Sequence, residues 1–254
     1  ANRITMHFPM HNVVNGASGF PRVAPGMLAL LQAPGVRFAA ENAEAGSAPL
    51  PAELADVELL VDGVPAPLTR VNGDTIRFVV PKDAASSGPA DFLVRRVSTG
   101  QILAQNRIAM SVASPAVLYQ GDNPSTQAQA RAYNQDGSLN TSGRPAASNQ
   151  ELTVYLTGQG AVPGMPEDGT AAEVPVGDVR AFVLAGTSFA EAEVISSTLD
   201  PAEPGVWRVK VKLPQVPVNG TYGFAVIYRA SFSSNSYTSG STVMKVNPLI
   251  SINK

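Results

Sequence analysis

Apolar and polar residues alternate over short stretches along the whole chain, in the runs "VELLVDG", "TIRFVVP", "DFLVRRV", "RIAMSV", "ELTVYLTG", "VRAFVL", "VWRVKVKLP" and "YGFAVIYRA". A period of two marks a half-buried β-strand, and no long window carries the 3.6-residue apolar stripe of a helix. Only "AAENAEA" (39–45) has the Ala/Glu content for a helical turn or two. Gly (22) and Pro (21) are spread throughout, so turn residues punctuate these runs. Asn-Gly stands at Asn15-Gly16, Asn72-Gly73 and Asn219-Gly220, and the last two pairs fall between strand-like runs, as in tight hairpins. The pattern predicts an all-β fold of packed antiparallel sheets.

The same alternation opens the chain. In "ITMHFPM", Ile4, Met6, Phe8 and Met10 fall on one face of a strand, and Thr5, His7, Pro9 and His11 on the other. Fully burying four such apolar side chains is worth on the order of 6–12 kcal/mol in transfer terms, before ordering costs. Pro9 has no N–H to give a ladder, which suits an edge position. This arm has no counterpart later in the chain, whereas the remainder repeats. "PGMLALL" answers "NQELTVYLTGQG", "GDTIRFVVPKD" answers "PGVWRVKVKLPQ", "SGPADFLVRRV" answers "VNGTYGFAVIY", and "NRIAMSV" answers "GSTVMKV". The expected organisation is an N-terminal extension over 1–12, a first sandwich over 13–114 and a second over 115–254. Each sandwich follows one seven-strand plan, and the short Pro-containing joint between them is semi-rigid.

Composition narrows the function. At 254 residues and 44% apolar, both halves have material for a core. Charged residues are 15%, the net charge is −2 and cysteine is absent. No basic stripe is present to engage nucleic acid, no apolar run spans a membrane, and neither disulfide nor thiol chemistry is available. Low net charge leaves self-association unopposed. A start at Ala1 fits a processed secreted protein or a trimmed chain.

Three stretches carry a family resemblance: "VVNGASGFPRVAPGMLALL", "VDGVPAPLTRVNGDTIRFVVP" and above all "AYNQDGSLNTSGRPA…LTVYLTGQG". Over Val13–Val246 the chain resembles the uncharacterised Solibacter-type C-terminal domain of acidobacterial secreted proteins. It departs from that pattern at Gln32-Ala33-Pro34-Gly35 and in "SNQELTV". The resemblance implies tandem immunoglobulin-like domains on an exported, cell-surface or extracellular bacterial protein, and implies no activity.

Candidate chemistry is sparse, and the sequence yields no catalytic residue, no metal-ligand set and no cofactor motif. His7 and His11 are the only histidines; on a strand they lie about 13 Å apart, too far to share a metal, and are expected to face solvent. "NQDGSLN" places Asn134, Asp136, Ser138 and Asn140 at alternate positions but lacks the twelfth-position Glu of a calcium loop, so a capped β-turn is expected. Carboxylates gather in "LPAELADVE" (Glu53, Asp56, Glu58) and "SFAEAEV" (Glu191, Glu193) without the aromatic platform of a glycosidase. Trp207, the only tryptophan, sits in an alternating strand and reads as core. Tyr228, Phe232 and Tyr237 offer themselves as surface contacts for a protein or a glycan.

These readings converge on a non-enzymatic, secreted structural subunit forming a pilus-like extracellular filament. Subunits join head to tail as a homopolymer, with Ile4, Met6, Phe8 and Met10 of one completing the sandwich of the next by donor-strand addition. The rival is an adhesive or carbohydrate-binding module of a larger exported protein, and a third reading is an accessory domain of a secreted enzyme.

Overall fold

The computed structural model describes residues 9–121, 129–233, 235–239 and 242–254, and every regular element among them is a β-strand. The first half comprises β1 (Asn12–Asn15), β2 (Leu28–Gln32), β3 (Ala43–Glu44), β4 (Glu53–Leu54) and β5 (Val57–Val61). It continues with β6 (Val64–Pro65), β7 (Leu68–Asn72), β8 (Thr75–Val79), β9 (Gly88–Arg96) and β10 (Ile102–Met110). These form two antiparallel sheets, β1-β2-β8-β7-β3 and β10-β9-β5-β4, with β6 on β5. In β5 the expected alternation holds, since Val57, Leu59 and Val61 point inward. "AAENAEA" contains no helix, and its Ala43–Glu44 is the short edge strand β3.

The second half comprises β11 (Ala116–Val117), β12 (Ala132–Asn134), β13 (Ala146–Ala147), β14 (Glu151–Thr157), β15 (Val179–Ala185) and β16 (Ser188–Leu199). It ends with β17 (Trp207–Lys212), β18 (Gly220–Tyr228), β19 (Ser231–Phe232), β20 (Asn235–Ser239), β21 (Thr242–Val246) and β22 (Leu249–Asn253). The path runs β11-β14-β17-β16-β15-β18-β22-β13, with β12 on β14 and β19 on β18. The long strand β16 makes it continuous: Glu193–Leu199 pair with β17, while Ser188–Ala192 pair with β15. Buried apolar residues form two clusters, one from Val13 to Met110 and one from Ala113 to Ile252.

Pairing repeats between the halves. β2 lies on β8 and β14 on β17; β7 lies on β8 and β16 on β17; β5 lies on β9 and β15 on β18. Pro81 follows β8 and Pro214 follows β17, as a residue with no donor stops a ladder. The last correspondence differs from expectation. "GSTVMKV" contains β21, which among the described residues pairs with β20 in a separate hairpin, and the strand beside β18 is β22, "LISIN". Its Ile250 and Ile252 are fully buried, and β13 joins it in parallel.

Two Asn-Gly expectations also shift. The β7–β8 hairpin pairs Asn72 with Thr75, so its two-residue loop is Gly73-Asp74, with Gly73 at φ 51°. Gly220 opens β18 instead of turning, and the Asn219 carboxamide oxygen accepts from the Lys254 N–H at 2.8 Å.

Candidate functional site

Residues 1–8 lie outside the described residues, and with them Ile4, Met6 and Phe8. The root of the arm is described, and it reverses the expected faces. Met10 is 73% exposed, while His11 is 3% exposed. His11 faces inward because Val13, two residues on, is fully buried between the sheets and the two share one side of the chain. The Pro9 carbonyl accepts from the Gln105 N–H at 3.3 Å, and the His11 carbonyl from Asn106 Nδ2 at 2.6 Å. The arm thus starts along β10, an edge strand of its sheet.

His11 Nε2 donates to the Phe92 carbonyl at 3.1 Å, and its Nδ1 is buried without a hydrogen-bond partner among the described residues. A proton on Nδ1 would bury an unsatisfied N–H, and desolvation by burial holds the imidazole below its ordinary 6.5 against a smaller upward pull from the Phe92 carbonyl. The unfolded chain therefore binds this proton first. The stability from neutral His11 is complete above 6.5 and is lost as pH falls from 6.5 toward the folded-state value. Urea midpoints should fall between about pH 7.5 and about pH 5.5, and His11→Gln should flatten that slope. An unchanged slope in the variant would assign the effect elsewhere.

At the other end of the chain, Tyr228 is not a surface residue: it is 2% exposed, its ring 5.2 Å from that of Trp207. The signal was in the sequence, since Tyr222, Phe224, Val226 and Tyr228 keep one parity along β18 and all point inward. Phe232 is half-exposed in β19. Tyr237 falls in β20, and its side chain lies outside what is described.

The other sequence candidates are tied into local structure. Asp136 accepts from Ser138 N–H and Oγ in the turn after β12, and Asn140 is buried, joined to both the N–H and carbonyl of Ser251. Asp56 caps Ser98, Glu58 pairs with Arg95 at 2.6 Å, and Glu191 grips Arg180 with both oxygens at 2.8 Å. No group of three or more His, Asp or Glu among the described residues is arranged to hold a metal ion. No helix among them is long and apolar enough to cross a membrane.

Between the two cores runs a polar joint. Leu28 N–H donates to Thr157 Oγ1 at 2.8 Å, Gln159 Nε2 to the Gly26 carbonyl at 2.8 Å, and Leu50 N–H to the Gly169 carbonyl at 2.8 Å. Lys82 N–H bonds Asp168 at 2.8 Å, with its Nζ 3.0 Å from Glu167. The connecting segment crosses directly over "TGQG", where Ser114 N–H donates to the Gly158 carbonyl at 2.8 Å.

Sequence reading missed a groove on the outer face of the second half, with a volume of about 480 Å³. Its floor is a strip of outward side chains in register: Tyr155 opposite Arg208 opposite Thr198, and Thr153 opposite Lys210 opposite Ser196. Tyr133 of β12 and the turn after it form one wall, and Glu173 lines the groove as well. The Tyr133 and Tyr155 rings meet edge to face, centroids 5.5 Å apart, and the Arg131 guanidinium lies 4.5 Å over Tyr155. Each cation has a carboxylate. Arg208 pairs with Glu173 (3.3 Å) and Asp200 (3.4 Å), Lys210 with Glu151 (3.5 Å), and Arg131 with Glu203.

No protein-family model matches the chain, and no curated protein matches it significantly. Nothing in these comparisons bears on the Solibacter-type resemblance. Among solved structures, a Bacteroides ovatus mixed-linkage glucan utilization locus protein, SGBP-B, in complex with a heptasaccharide is 13% identical with a TM-score of 0.35; the match covers 92% of this chain and 43% of that one. A putative membrane-anchored protein of Corynebacterium diphtheriae is 8% identical (TM-score 0.24; 96% and 58% covered), and InvD of Yersinia pseudotuberculosis is 14% identical (TM-score 0.23; 94% and 57% covered). The chain thus spans about two fifths to three fifths of these proteins, and at such TM-scores the likeness determines neither its fold nor its function.

Proposed function

We propose that the chain is a secreted, non-catalytic structural subunit made of two immunoglobulin-like sandwiches, which joins its neighbours through its N-terminal arm. The sandwich assignment draws on strand order: β1-β2-β8-β7 beside β10-β9-β5 follows the ABED and GFC arrangement, and β14-β17-β16 with β22-β18-β15 follows the same plan. Export draws on the sequence resemblance.

The observation that carries the assembly reading is the reversal at the arm's root. With His11 turned inward and Met10 outward, Met10 is not used by the first core, and the sequence alternation places Ile4, Met6 and Phe8 in the same parity as Met10. An apolar face of this size favours a neighbour's sheet over water, and strand addition satisfies its backbone at the same time. Repeated head to tail without closure, the contact makes a filament.

The test compares the full chain with a chain lacking residues 1–8, and with Met6→Asp and Phe8→Asp, by size-exclusion chromatography and electron microscopy. Filaments or higher oligomers are expected of the full chain alone, because each substitution would bury an unpaired carboxylate in the contact. Assembly at normal yield by the truncated chain would refute the arm's role.

A further inference from the structure

We propose that the groove over β14, β17 and β16 binds a neutral oligosaccharide, a role independent of the arm. The volume of about 480 Å³ falls within the ~300–1,000 Å³ of small-molecule sites. Its charges select among ligand classes. An anionic ligand would have to compete with Glu173, Glu151 and Asp200 for cations they already hold at 3.3–3.5 Å. An apolar ligand would strip water from those same ion pairs and from the Thr153 and Ser196 hydroxyls that line the groove.

A sugar meets neither penalty. Its C–H face lies against an aromatic ring, while its hydroxyls donate and accept together, so each can join a cation and a carboxylate without separating them. The rungs supply this combination in order, with Tyr133 and Tyr155 at one side and the Arg208–Glu173 pair at the other. An open strip along a sheet face also suits an extended chain more than a compact metabolite. Neither tyrosine belongs to the buried cluster of this half, so the core does not account for both.

The experiment is isothermal titration of the full chain with cellohexaose, xylohexaose and mannohexaose, with polygalacturonate as the charged comparison. Saturable binding of at least one neutral hexasaccharide is expected, with little dependence on salt. Tyr155→Ala and Tyr133→Ala should weaken it at least about tenfold. Thr153→Trp, which fills the groove from a strand position without touching the core, should abolish it while leaving the urea midpoint unchanged. No binding of any neutral hexasaccharide at millimolar concentration would overturn the proposal. Binding of polygalacturonate alone would overturn it too, as would neutral-sugar binding that survives Thr153→Trp.

Discussion

Replacing Trp207 by Ala is expected to destabilise the second half by about 3–5 kcal/mol, at the upper end of the range for core truncations. Trp207 is fully buried at the start of β17, it packs 5.2 Å from Tyr228, and its Nε1 donates to Ser197 Oγ at 2.7 Å. Truncation removes the largest side chain of the cluster and leaves a cavity walled by sheets that β16 ties together, so the walls cannot collapse independently. The measurement is urea denaturation followed by circular dichroism, since Trp207 is the chain's only tryptophan and its fluorescence disappears with it. Ser197→Ala separates the two contributions. It keeps the ring and removes only the acceptor, and should cost about 1 kcal/mol. A Trp207→Ala variant as stable as Ser197→Ala would mean that the ring packs loosely.

The second large effect is expected at Gly158. Its φ is +87°, and a Cβ there would stand 1.7 Å from the Ser114 carbonyl oxygen. That oxygen is main chain in the segment joining the halves, so it cannot rotate aside as a side chain would. Gly160 is built the same way, 1.9 Å from the Val112 carbonyl oxygen. Gly158→Ala should therefore cost more than about 3 kcal/mol, above the range of most single substitutions, and should displace one half relative to the other. Gly186→Ala is the comparison. Its φ of +61° is also left-handed, but nothing lies within 4 Å, so only the conformational cost of about 1 kcal/mol applies. Denaturation gives the difference, and small-angle scattering reads the displacement. Equal losses at the two glycines would show that the crossing chain yields.

What the sequence disclosed depended on whether the cause was local. Alternation is a property of neighbours, so the strands, the buried Trp207, the capped turn at Asp136 and the proline stops after β8 and β17 were all legible. Tyr228 was legible by the same rule, and reading it as a surface residue overlooked its parity with Phe224. The inward turn of His11 was harder to see. It depends on which sheet the arm meets, and an imidazole among alternating apolar residues suggests the opposite face. Pairing across long separations left no trace. The choice of "LISIN" over "GSTVMKV" beside β18 rests on Ile250 and Ile252 reaching the core. The groove joins Tyr133, Tyr155, Arg208 and Thr198 from four strands through registers that no local pattern specifies.

The polar joint between the halves has a mechanical meaning. Its bonds arise at Gly26, Leu28, Leu50 and Lys82 on one side and at Thr157, Gln159, Asp168 and Gly169 on the other. A tilt of one half against the other has to stretch or break these bonds. To the extent that the bonds hold, a force applied to one half is passed to the other through main-chain groups as well as through the connecting segment. If the arm joins neighbouring chains as proposed, bending of the resulting array would fall more on the contacts between molecules than on this joint.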